Sequence, residues 1–231
     1  MKKLFYLISF AFFISCTASK NSGKSKNATV FVKIETDSGT MVAKLYNKTP
    51  LYKEDFVKLV KKHFYDGLLF HRVIPGFIIQ GGDPESRDAK PGQVLGSGGS
   101  KKTIPAEFDT SLFHKKGALG MARETDDINP QKASSSIQFY IVEGRTFTNL
   151  EMNRIEEQFH IKIPENHREV YRTIGGAPFL DMNYTVFGEV VSGLGVIDKI
   201  AHAPKDKNNR PLQDIRMKIT LMKRSEYRKY L

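Results

Sequence analysis

The chain has 231 residues, of which 40% are hydrophobic and 11% aromatic, and its 36 Lys and Arg exceed its 25 Asp and Glu to give a formal charge of +11. That composition can bury one substantial core and excludes a disordered or collagen-like chain, so one main domain is the default. The basic residues are spread along the sequence instead of forming a block, which reads as a solvated surface and argues against a nucleic-acid partner.

Met1, Lys2 and Lys3 make a short basic start, residues 4–14 are apolar and Ser15 is small. This is the layout of an export signal, too short for a membrane span of about 20 residues. FISC at 13–16 resembles a bacterial lipobox, with Phe13 in place of the usual leucine. The resemblance implies a signal peptide over 1–15 and a lipidated Cys16 as the first mature residue. Cys16 is the lone cysteine, so no intrachain disulfide can form. Residues 16–29 are polar, small and basic without hydrophobic periodicity, which reads as a flexible tether. Their SGKS at 22–25 is not a phosphate-binding loop, because the first glycine of that motif would fall at Ala18 and no strand precedes it.

The folded part, 30–231, begins with alternation. Val30, Val32 and Ile34 share one strand face, Asp37-Ser38-Gly39 turns, and Met41, Ala43 and Leu45 alternate again, which predicts a hairpin. Thr49 as N-cap and Pro50 at the first helical position predict a helix with Tyr52, Phe56, Leu59, Val60 and His63 on one face. Residues 70–83 read as a second hairpin, with Pro75-Gly76 as a type II turn between two apolar runs. Further strands are predicted at 117–123, 137–143, 184–190 and 215–222, and a helix at 193–201. Helices are also predicted at 148–159 and 165–174, where Met152, Ile155 and Phe159 make one apolar face and Val170, Tyr171 and Ile174 another. Many short strands suggest a sandwich or a closed barrel.

FHRVIPGFIIQGGD at 70–83, GALGMAR at 117–123, IQFYIV at 137–142 and FLDMNYTVFGEVV at 179–191, in this order, resemble the cyclophilin family of peptidyl-prolyl isomerases. The resemblance runs from about residue 30 to the C-terminus. It implies a mainly β fold, a closed eight-stranded antiparallel barrel capped by two helices, and X-Pro isomerisation without cofactor or metal. By the same resemblance, residues 147–175 are an extra helical insertion. Within it Glu157 and His160 form a single E-x-x-H pair, which a carboxylate-bridged metal site would need twice.

The resemblance also implies roles. Arg72 is the expected catalytic residue and Gln80 orients it; Ile78, two residues from Gln80 on a strand, shares its face and adds apolar wall. Phe77, Tyr140, Leu180 and Tyr184 match positions of the proline pocket, Phe179 stands where many relatives have tryptophan, and Gln138 is a second polar wall residue. Ala122 and Arg123 match the segment whose backbone amide holds a substrate carbonyl. The expected partners are proline-containing polypeptides and, through Cys16, a membrane; a monomer facing the periplasm is expected. Thr17 instead of aspartate after the cysteine favours the outer membrane. The rival reading is a binding module that keeps the pocket, or uses the helical segment, mainly to hold a partner.

The chemistry explains why an apolar hairpin would carry an arginine. Rotation about an X-Pro bond faces a barrier of about 18–20 kcal/mol, because the amide gives up its resonance as it twists. In the twisted state the prolyl nitrogen regains a lone pair. A guanidinium donor aimed at it therefore stabilises the transition state over either planar form.

Overall fold

The computed structural model describes residues 28–99 and 102–231; the signal segment, Cys16 and most of the tether lie outside the described residues. Strands β1 (Val30–Thr36) and β2 (Gly39–Leu45) form the first hairpin, in register from Val30 opposite Leu45 to Thr36 opposite Gly39. Helix α1 (Pro50–Lys61) follows and buries Tyr52, Phe56 and Val60. His63 lies beyond its end, exposed, with Nδ1 3.1 Å from the Asp66 carboxylate. Thr49 precedes Pro50 as expected, yet its hydroxyl caps nothing: it is buried without a partner among the described residues, and the first-turn amide of Leu51 donates instead to Glu107 Oε2 at 3.1 Å. The helix start is thus capped from across the molecule, by an acceptor 56 residues away.

The second hairpin is β3 (Phe70–Ile74) and β4 (Ile78–Gly81). It is followed by the two-residue β5 (Thr103–Ile104), then β6 (Ala118–Met121), the two-residue β7 (Ser134–Ser135) and β8 (Phe139–Val142). Helices α2 (Asn149–Phe159) and α3 (Glu165–Thr173) come next, then β9 (Val186–Ser192), α4 (Leu194–Ala201), β10 (Met217–Leu221) and the short α5 (Arg224–Tyr227). Eight strands form one antiparallel sheet in the order β10-β1-β2-β9-β6-β8-β4-β3, while β5 and β7 pair apart. The edge strands β3 and β10 are not paired along their lengths. They meet at one end only, where Phe70 N donates to Ile215 O at 2.9 Å and Met217 N to Leu68 O at 2.8 Å. The implied closed barrel is therefore corrected to a curled sheet, open in its ladder and joined by a short seam.

The concave side of that sheet is filled from α1. Phe56 meets Tyr65 at 5.1 Å, Phe187 at 5.2 Å and Phe139 at 5.6 Å between ring centroids, each in a tilted or edge-on arrangement that aromatic quadrupoles favour. A second cluster holds α2 and α3 through Phe147, Met152, Ile163 and Tyr171. Thr148 and Glu151 close a capping box at the start of α2, and Arg168 of α3 reaches back to Glu156 and Asn153 at 2.7 and 2.8 Å. Among the described residues no helix is long and apolar enough to cross a membrane.

Candidate active site

The β3–β4 hairpin owes its shape to its turn. Phe77 N donates to Ile74 O at 3.0 Å and Gly76 has φ +72°, the positive value that a type II turn demands. Glu143, buried at the end of β8, pins the tip by accepting from Gly76 N at 2.6 Å, and its own amide donates to Phe77 O at 3.0 Å. The register then sets Arg72 opposite Gln80.

From this pairing a polar relay runs inward. Arg72 Nη1 donates to Gln80 Oε1 at 3.1 Å, Gln80 Nε2 to Gln138 Oε1 at 3.1 Å, and Gln138 Nε2 to the carbonyls of Gly96 and Gly98 at 3.0 and 2.8 Å. The amides of Gly96 and Gly98 in turn donate to Asp83 Oδ2 at 2.6 and 3.3 Å. The guanidinium is oriented by side chains that are themselves anchored to backbone, which is what precise placement of a donor requires.

The relay borders a cavity of about 370 Å³. Arg72 and Gln80 stand on its wall with Phe77, Ile78, Tyr140, Leu180 and Tyr184, and Ala122 and Arg123 complete it. Gln138 instead faces an adjoining cavity of about 530 Å³ that shares Gln80, Gly96, Ala122 and Arg123 with the first. Phe179 lies outside both walls. Its half-buried ring packs against Phe77 of the wall at 5.4 Å.

The backbone expectation at 122–123 sharpens in the structure. Ala122 N donates to Gln138 O at 3.0 Å, whereas the amide of Arg123 has no backbone partner among the described residues. The Arg123 side chain is tied down elsewhere: Nε donates to Asn183 O at 2.7 Å, an ion pair joins it to Asp126 at 2.6 Å, and the guanidinium lies 4.5 Å over the Tyr184 ring. It fixes a pocket wall and leaves the pocket interior to apolar groups.

Two features escaped the sequence reading. Tyr140 Oη meets His114 Nε2 at 2.9 Å, His114 Nδ1 meets Asp181 Oδ1 at 2.8 Å, and Tyr171 Oη donates to Asp181 Oδ2 at 2.6 Å. This buried chain turns the Tyr140 hydroxyl away from the cavity and ties a pocket wall to α3. A Cβ on Gly120 would overlap the Tyr140 ring and hydroxyl, so glycine is what makes room for it. His71 also lines the cavity, buried, with neither ring nitrogen bonded among the described residues. Burial, reinforced by Arg72 against the opposing pull of Asp83, lowers its pKa to about 4 and keeps it neutral at pH 7. No signal in the sequence marks the first feature, whose partners lie up to 67 residues apart. His71 adjoins Arg72 in the quoted motif and could have been found there.

Comparison with known proteins agrees with the geometry. Residues 31–221 match the family model described as cyclophilin type peptidyl-prolyl cis-trans isomerase/CLD. A Staphylococcus aureus (strain USA300) protein assigned as a peptidyl-prolyl cis-trans isomerase is 32% identical over 185 residues, covering 80% of this chain and 87% of that protein. A Staphylococcus haemolyticus relative of the same assignment is 31% identical over 80% of this chain and 86% of its own. Among solved structures, a Cryptosporidium parvum cyclophilin type peptidyl-prolyl cis-trans isomerase superposes with a TM-score of 0.62 at 24% identity, covering 85% of this chain and 99% of that one. The same protein crystallised in the presence of the dipeptide Ala-Pro gives 0.61 at 23% identity, over 84% and 99%. The family match runs through α2 and α3 and does not set residues 147–175 apart as an insertion. The chain belongs to the cyclophilin-type peptidyl-prolyl cis-trans isomerases.

Proposed function

We propose that this isomerase works on exported proteins while held at a membrane through Cys16, and that Arg72 is its catalytic residue. The observation that carries the catalytic part is the Arg72–Gln80 hydrogen bond of 3.1 Å on the wall of a cavity that also presents Phe77, Ile78 and Leu180. A proline ring seated against Phe77, Ile78, Tyr140 and Leu180 places the imide beside a donor that is already oriented. Turnover of about 10 to 1,000 per second requires lowering the rotational barrier by roughly 4 to 7 kcal/mol. One preorganised, charge-assisted hydrogen bond in a desolvated site supplies much of that, and the Arg123 amide holds a neighbouring carbonyl while the imide turns. Nothing covalent is made or broken.

The substrate class is proline-containing polypeptide, a reading supported by the Ala-Pro dipeptide with the Cryptosporidium protein. Export and anchoring rest on the basic, apolar and small segments ahead of Cys16. Two or more acyl chains give stable anchoring where one does not. We further read the domain as monomeric and periplasm-facing, on the outer membrane by the identity of Thr17, with α2 and α3 as an addition to the compact fold. Fractionation of cells expressing the parent and Cys16→Ala tests the location: the parent should sediment with membranes and the variant should stay unprocessed or become soluble. A fully soluble parent contradicts the anchor. For catalysis, Arg72→Lys should recover little of what Arg72→Ala loses, because a point charge lacks the planar fork.

A further inference from the structure

Phe179 sits outside the cavity wall because it belongs to a row of rings. Phe77, on the wall, meets Phe179 at 5.4 Å with the planes 40° apart, and Phe179 meets Phe159 at 6.0 Å and 32°. Phe159 is the last residue of α2 and is 40% exposed; the other two are half-buried. The row therefore leads from the proposed proline site outward onto the helical segment.

Phe159 is held in place from behind. Helix α2 ends just after it at His160, whose φ of +52° turns the chain, and Ile163 N then donates to Glu156 Oε1 at 2.7 Å while Arg168 of α3 binds Glu156 Oε2 at 2.7 Å. None of the three rings lines the polar 530 Å³ cavity, which adjoins the proline cavity through Gln80, Gly96, Ala122 and Arg123. A polypeptide crossing the proline site thus has a polar flank on one side and an aromatic flank on another.

We propose that Phe159, together with Phe179, is a specificity-determining shelf that receives an aromatic or large apolar side chain flanking the proline of the substrate. This rests on the reading of the Arg72 cavity as the proline site. Continuity carries the choice of occupant: Phe77 belongs both to the cavity and to the row, so the side chain that covers the row comes from the same polypeptide. The two ring spacings put Phe159 no more than about 11 Å from Phe77. An extended chain advances about 3.3–3.6 Å per residue, so the flanking side chain lies one to three residues from the proline. Rings 5 to 6 Å apart and tilted offer the edge and offset contacts that another aromatic side chain prefers.

The test is a peptide series of the form X-Pro with a single Phe, Leu, Gly or Glu placed at each of the three positions on either side of the proline. kcat/KM is measured for the parent, Phe159→Ala, Phe159→Leu and Arg72→Ala. On one flank the parent should favour Phe over Gly by about fivefold or more, chiefly through KM. Phe159→Ala should lose that preference while turning over the Gly peptide within about twofold of the parent, and Phe159→Leu should keep part of it. An equal effect of Phe159→Ala on all peptides, or none on any, overturns the shelf. So does a Phe159→Ala variant that only converts a self-associating protein to a monomer, since the row would then be a self-interface. Arg72→Ala on the Gly peptide separates the two readings. If it abolishes turnover while Phe159→Ala leaves the preference intact, the shelf fails and the proline site stands; if it has no effect, the proline site itself is wrong.

Discussion

His71 precedes the proposed catalytic guanidinium by one residue and carries a cost that pH reveals. In the unfolded chain it binds a proton near pH 6.5, whereas in the fold burial lowers that value to about 4. Between the two the unfolded state takes up a proton that the folded state does not, so stability is full above about pH 6.5 and falls as pH drops toward 4. The loss is about 1.4 kcal/mol per pH unit, or about 2 kcal/mol by pH 5. Urea unfolding at pH 7 and pH 5 should show that fall in the parent and a clearly smaller one in His71→Gln; equal slopes would remove His71 from the account. Tyr140 gives a second residue-level test. Tyr140→Phe keeps the pocket face but strips His114 Nε2 of its 2.9 Å partner. An unpaired buried nitrogen costs about 1–3 kcal/mol. The loss should appear in urea midpoints at unchanged slope, with kcat/KM within a few-fold of the parent.

The β3–β4 hairpin shows what the sequence could and could not disclose at the level of elements. Its alternating runs and the Pro75-Gly76 turn were legible because a strand repeats every two residues and a type II turn needs a residue with positive φ. The helices at 50–61, 149–159 and 165–173 were legible from their 3.6-residue faces. The two-residue strands β5 and β7 carry no periodicity to read. Nor could sequence anticipate that Glu107 caps α1 while Thr49 does not, since that bond spans 56 residues. Of the site, the residues inside contiguous motifs were named, and most of them meet in one cavity. Phe179 does not: its ring stacks between Phe77 of the wall and Phe159 of α2, 20 residues earlier, a contact that no local pattern marks. The turn itself can be tested cleanly. A Cβ at Gly76 would touch nothing within 4 Å, so Gly76→Ala suffers only from φ +72°. It should destabilise the protein by about 1–2 kcal/mol in chemical unfolding, with a smaller effect on catalysis unless Phe77 shifts.

Across the whole molecule, one sheet curls around a core built mainly from its own strands, with Tyr52, Phe56 and Val60 of α1 packed into it, and the hairpin at its β3 edge presents the proposed catalytic arginine. The relay from Arg72 through Gln80 and Gln138 ends on the 96–98 backbone, and the Tyr140–His114–Asp181–Tyr171 chain ends on α3. The cavity is thereby braced from two sides, on one by Gln138 and the 96–98 backbone behind Gln80 and on the other by His114, Asp181 and Tyr171 behind Tyr140. Such bracing matters because a non-covalent catalyst has only placement to work with: a donor displaced by an ångström favours the planar and twisted imides alike. In the proposed mechanism Arg72 acts chiefly on the twisted state. Exchange spectroscopy on one X-Pro peptide tests it directly, since the same sample reports the catalysed cis–trans rate and the affinity of the peptide for the protein. Arg72→Ala should cut the rate at saturation by about a hundredfold or more while weakening affinity by less than about tenfold. A variant that isomerises the bound peptide at the parent rate, or that loses rate only in proportion to affinity, would contradict it.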